Sequence, residues 1–105
     1  RYRKELSSCE KIKLMKYYDD RQPNYQIFPI HVENRVAFAT RLREKNIMVN
    51  INNRRNDIYP MFGGLRADLP NTERADQDVV LLPMHTDLTD EQVSIIIKAV
   101  QEATV

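Results

Sequence analysis

The chain predicts a small α+β domain: two layers, with a short, mostly antiparallel sheet and helices on one face. Three observations carry this. Tyr25 to Val32 and Ile47 to Ile51 alternate apolar and other residues at strand length, and Val79-Val80-Leu81-Leu82 is a short continuous apolar run. Helical spacing recurs between and around these runs, with a strong start signal before the last helix. The length, 105 residues, suits one small domain with a modest core.

In chain order, residues 1 to 18 place Tyr2, Leu6, Cys9, Ile12 and Met15 at helical spacing, so one helix is expected there. Asp19-Asp20-Arg21-Gln22-Pro23-Asn24 breaks the pattern, because proline bars a continuing helix and Asp and Asn favour turns. Residues 1–23 therefore read as a linking helix, and 24–105 as the domain proper. In the strand Tyr25 to Val32, Phe28, Ile30 and Val32 share the inward face. Pro29 cannot donate to a ladder, which predicts an edge position or a bulge.

Asn34 is an N-cap for a helix over Arg35 to Lys45, with Val36, Ala39 and Leu42 inward and Phe38 beside them. Asn46 stands where helices end in a left-handed residue. The strand Ile47 to Ile51 follows, inward at Ile47, Val49 and Ile51. A short helix, Thr72 to Gln77, is expected after Asn71, then the strand Val79 to Leu82, which Pro83 ends. Thr89-Asp90-Glu91-Gln92 is a capping box, with Leu88 and Val93 at the staple positions. Val93, Ile96, Ile97 and Val100 form the apolar stripe of the last helix.

Between the second and third strands lies the stretch most in need of explanation, Asn50 to Gly64. It sets Asn52, Asn53, Arg54, Arg55, Asn56, Asp57 and Tyr59 almost in a row, then Pro60 and Gly63-Gly64. Arginine forks fit phosphate and carboxylate oxygens through paired charge-assisted hydrogen bonds. Asparagine offers both donor and acceptor. The loop therefore reads as a site for a polar, anionic ligand, or as an ordered loop whose arginines pair with acids of the same chain.

Composition excludes several classes. A formal charge of +1 argues against a general nucleic-acid binder. One cysteine, Cys9, permits no intrachain disulfide and favours a reducing setting, and no Cys/His cluster has metal-ligand spacing. No run approaches the roughly 18 apolar residues of a membrane span, and no signal-peptide pattern is present. Ser7, Ser8 and Cys9 fall on the first expected helix, His31 reads as a satisfied strand residue, and Asp19-Asp20 as turn chemistry. His85 is expected to cap or pack against the last helix. All six lysines (Lys4, Lys11, Lys13, Lys16, Lys45, Lys98) fall on expected helices, on solvated faces, and none suits a Schiff base. The chain alone offers no catalytic, cofactor-binding or metal-ligating residue.

The runs IFPIHVENR, LREKNIMVNINNRRNDIYPMFGG and LPNTERADQDVVLLPMHTDLTDEQVSIIIKAV, in that order and spacing, resemble the C-terminal domain of the DegT/DnrJ/EryC1/StrS sugar aminotransferases. The resemblance covers about Asn24 to Ala103, and the preceding segment is similar to the family's link from the large domain. It implies the small domain of a type I pyridoxal-phosphate (PLP) enzyme. The parent would be a cytoplasmic homodimer moving an amino group from a donor such as glutamate to a keto group of a nucleotide-linked sugar. Deoxysugar or cell-surface polysaccharide synthesis would be its setting. PLP and its lysine would belong to the large domain, leaving this chain inactive alone.

Many family members carry a His-Tyr pair after the second strand, where Asn52-Asn53 stands here. Only the location carries over. The loop would face the substrate, with Arg54 and Arg55 toward the diphosphate or a neighbouring acid, and Asn52, Asn53 and Tyr59 toward hydroxyls. A dehydratase of the same family, or a stand-alone non-catalytic ligand-binding or adaptor module, are the alternatives. Without the large domain, apolar surface at Tyr2, Leu6 and Cys9 is expected to be exposed and to draw chains together.

Overall fold

The computed structural model describes residues 1–51 and 53–104. At its centre is an antiparallel sheet in the order β1 (Ile12–Leu14), β2 (Phe28–Val32), β3 (Val79–Leu82). Ile12 pairs with Val32 and Leu14 with Ile30, while Phe28 pairs with Leu82 and Ile30 with Val80. The strand period of two places all of these on one face. That face shares a single hydrophobic cluster with α1 (Tyr2–Leu6), α2 (Arg35–Glu44) and α4 (Asp90–Ala103). The expected two-layer α+β class holds. α3 (Pro70–Asp78) borders the opposite face, where Thr72, Ala75 and Asp76 line a cleft with Pro29, His31 and Val79.

Pro29 does not mark an edge, since β2 is the central strand. The ladder explains how proline is tolerated there. Asn50 and Leu81 exchange both backbone hydrogen bonds, at 3.1 and 2.7 Å, so Leu81 faces away from β2. Ile30–Val80 and Phe28–Leu82 are then the bonded pairs with β3, and the Pro29 nitrogen points to the β1 side. β1 stops at Leu14, one residue short of the position that would require the missing N–H. The Met15 carbonyl accepts instead from Arg3 Nη1, at 2.8 Å.

The single helix expected over residues 1 to 18 is corrected: α1 ends at Leu6, turns follow, and Ile12–Leu14 is a strand. Ile12 fits the helical stripe as well as a strand, whereas Ile12 and Leu14 together fit only a period of two, and the open edge of β2 takes up that strand. Ser7, Ser8 and Cys9 thus follow the helix, and Lys11, Lys13 and Lys16 are not helical. Nor is the first helix an exposed apolar patch. Tyr2 and Leu6 are buried in the core and Cys9 is half-buried against it, because the amphipathic stripe docks on α4 and the sheet.

The Tyr2 hydroxyl donates to the Pro83 carbonyl at 2.6 Å, and burial pushes its phenol up to about 12. A raised folded-state value means the stability it lends is complete below the ordinary tyrosine value of about 10 and drains as pH rises toward 12. Denaturant midpoints should therefore fall between pH 10 and 12, and Tyr2→Phe should flatten that fall.

α2 begins as expected: Asn34 Oδ1 accepts from the Ala37 amide at 3.1 Å. Phe38 and Leu42 fill the core, Ala39 is half-buried, and Val36 is exposed rather than inward. The helix is turned so that the larger Phe38 faces the sheet, and Arg35 on that side donates to the Val79 carbonyl at 3.2 Å. At its end Asn46 is left-handed (φ 60°), with Asn46 N–H bonded to Arg43 O and Ile47 N–H to Leu42 O, a Schellman motif.

That motif also shortens the strand expected over Ile47 to Ile51, because the Ile47 amide is held back on the helix. Only Asn50 bridges to β3. Ile47 is buried, Val49 half-buried, and Ile51 exposed rather than inward.

α3 starts earlier than expected, with Pro70 at the first helical position, where no amide partner is needed. β3 matches expectation. In α4 both bonds of the capping box are made: Gln92 N–H to Thr89 Oγ1 at 3.1 Å, and Thr89 N–H to Gln92 Oε1 at 3.0 Å. Ile96, Ile97, Ala99, Val100 and Ala103 are buried, with Val93 packed beside them. Thr89→Ala should cost about 1 kcal/mol, read as a lower melting temperature. No helix among the described residues is long and apolar enough to cross a membrane.

Candidate functional site

The polar loop leaves the sheet edge at Asn50 and returns to α3 at Pro70. Two short 3-10 turns, Asn56–Ile58 and Pro60–Phe62, organise it. Gly63 and Gly64 end the second turn at φ 94° and 83°, a left-handed region that penalises any side chain. All three arginines of the loop meet acids of this chain, Arg66 pairing with Asp68 at the exposed far end. Arg54 grips Asp76 of α3 with two parallel bonds, Nε to Oδ1 at 2.8 Å and Nη2 to Oδ2 at 3.0 Å. The Arg55 amide donates to the same Oδ1 at 3.0 Å. The Arg55 guanidinium grips Asp57, with both bonds at 2.6 Å.

Asp57 also accepts from the Arg66 amide at 2.9 Å, and Arg55 Nη2 donates to the Arg66 carbonyl at 3.1 Å. The Arg55 and Asp57 side chains are only 8% and 7% exposed, so this pair is shielded from water. The Arg55 guanidinium, and then the Arg66 amide, bring the Asp57 carboxyl down to about 2. Arg54 likewise holds Asp76 below the usual carboxylate range, against the opposing effect of burial.

The side-chain pairing seen at Arg54 and Arg55 is the same-chain alternative left open by the sequence. Asn53, Asn56 and Tyr59 are exposed on the loop, while Asn52 lies outside the described residues. Sequence reasoning missed Asp76, because its partner is 22 residues away. The available signal was an acid on α3 facing a loop rich in arginine. The adjoining cleft is lined by Met15, Ile27, Ile51 and Asn53 together with the Pro29 and His31 side of β2.

Other singled-out residues do not converge with the loop. The His85 side chain is exposed rather than packed, and its carbonyl accepts from the Leu88 amide in the turn before α4. Asp20 is paired with Arg21. Cys9 Sγ lies 3.4 Å from Thr104 Oγ1. No group of three or more potential metal ligands exists among the described residues. All six lysines are exposed.

Solved structures of aminotransferases match this fold. The sugar aminotransferase CalS13 from Micromonospora echinospora is 30% identical, with a TM-score of 0.88, covering 96% of this chain and 27% of that one. S. venezuelae DesV, solved with a ketimine intermediate, is 23% identical, with a TM-score of 0.89, covering 96% of this chain and 28% of that one. The PLP form of the putative sugar aminotransferase Spr1654 from Streptococcus pneumoniae is 19% identical, with a TM-score of 0.81, covering 98% and 28%. The latter two show likeness of fold alone. The chain belongs to the DegT/DnrJ/EryC1/StrS aminotransferase family, whose model matches residues 1–101. It spans little more than a quarter of the length of these solved relatives. No curated protein matches it.

Proposed function

We propose that this chain is the small domain of a PLP-dependent aminotransferase acting on a nucleotide-linked keto sugar. Family membership over residues 1–101 is the observation that carries the reading. In it, residues 1–23 form the link from a large domain, and 24–105 the small domain of a cytoplasmic homodimer. The loop bearing Asn52, Asn53, Arg54, Arg55, Asn56, Asp57 and Tyr59 faces the substrate, and the domain offers a surface to the cleft and the dimer. Glutamate or a similar amino acid is the amino donor. PLP supplies the electron sink for amino transfer. In this reading its site and its Schiff-base lysine belong to the large domain.

The test uses the full-length polypeptide containing these residues. Incubated with PLP, glutamate and a nucleotide-linked keto sugar, it should release 2-oxoglutarate and yield the amino sugar. Borohydride reduction followed by peptide mapping should label a lysine outside residues 1–105. A label on Lys4, Lys11, Lys13, Lys16, Lys45 or Lys98 would overturn the division of labour between domains. Loss of water from the sugar with no 2-oxoglutarate formed would overturn aminotransfer itself.

A further inference from the structure

We infer that Asp76 and Asp57 are positioning residues for the loop, that Arg54 and Arg55 act through them, and that the loop so held presents Asn53, Asn56 and Tyr59 to the hydroxyls of a polyhydroxyl ligand. This rests on the substrate-facing reading of the loop and deepens it. A guanidinium binds a phosphate through its fork of parallel donors. Here the Nε–Nη2 edge of each is occupied: Arg54 by the two oxygens of Asp76, and Arg55 by the two oxygens of Asp57. Engaging a phosphate through that edge would strip a carboxylate of its partner. For Asp57 that carboxylate is shielded from water, where an unpaired charge is strongly disfavoured.

The bonds are also placed as a brace. Asp76 Oδ1 takes both the Arg54 side chain and the Arg55 amide, tying the start of the loop to α3. Asp57 Oδ2 takes both the Arg55 side chain and the Arg66 amide, tying its first turn to its far end. With loop start, turn and exit held, Asn53, Asn56 and Tyr59 are left exposed. Amide and phenol groups donate and accept without net charge, which suits sugar hydroxyls and carbonyls rather than a diphosphate.

The test compares Arg54→Ala, Asp76→Ala and the double variant in the full-length enzyme, with steady-state kinetics and amide hydrogen exchange. Each single variant should raise KM for the sugar nucleotide about tenfold, and the double no further, because a displaced loop is displaced only once. KM for the amino donor should stay within about twofold, and exchange at Arg55 should accelerate in all three variants. Arg54→Ala raising KM while Asp76→Ala leaves it unchanged or lower would overturn the inference, since the guanidinium would then be meeting phosphate.

A parallel rise in both KM values with a fallen melting temperature would also overturn it, as general damage. If the wild-type enzyme turns over no sugar nucleotide, the functional reading fails separately. Hydrogen exchange then decides the brace alone: retained protection at Arg55 in Asp76→Ala sinks it.

Discussion

Ile30→Ala is expected to destabilise the domain by about 3 kcal/mol. Ile30 has no exposed surface, and it sits in the middle strand, paired with Leu14 on one side and Val80 on the other. Truncation removes apolar contact and leaves a cavity that two neighbouring strands cannot close. A loss of that size should lower the melting temperature by more than about 10 °C in a domain of this length. Val36→Ala is the matched control. Val36 is exposed, and its loss should stay within about 0.5 kcal/mol. Similar melting temperatures for the two variants would contradict the placement of the core.

The second large effect is at acid pH and belongs to Asp57. Its carboxyl titrates near 2 in the folded chain, held down first by the Arg55 guanidinium and then by the Arg66 amide, whereas an unfolded aspartate titrates near 4. A lowered folded-state value means the stabilisation is complete above pH 4 and is lost as pH falls toward 2. Asp76 adds to the same trend, its carboxyl lowered by Arg54. Denaturant midpoints measured from pH 5 to pH 2 should fall steeply. Asp57→Asn should be less stable than wild type at pH 5 and should show a flatter fall below pH 4. Parallel curves for the two proteins would mean that the Arg55–Asp57 pair contributes nothing to the fold.

Local signals carried much of the fold. The Thr89–Gln92 capping box, the Asn34 cap, the left-handed Asn46 and the apolar run Val79 to Leu82 each act over a few residues, and each is formed as expected. The candidate loop could be located in the same way, because no simple turn needs two arginines among amides. Its internal pairing could not be read. Arg54 had Asp57 close in sequence and Asp76 distant, and only the approach of α3 selects the latter.

The sequence by itself determined the α+β class, the inward faces of β2 and α4, and the membership pattern spread over the chain. Tertiary structure decided where periodicities were shared or partners lay far apart. It made Ile12–Leu14 a strand by offering the open edge of β2, and kept Pro29 central by ending β1 one residue early. It buried Tyr2 and Leu6, and assigned each arginine its acid. The physical reason is common to all four. A single apolar residue such as Ile12 can serve a helical stripe or a strand face, an apolar stripe is buried only where a partner docks on it, and a proline or an arginine is satisfied only by what the rest of the chain brings beside it.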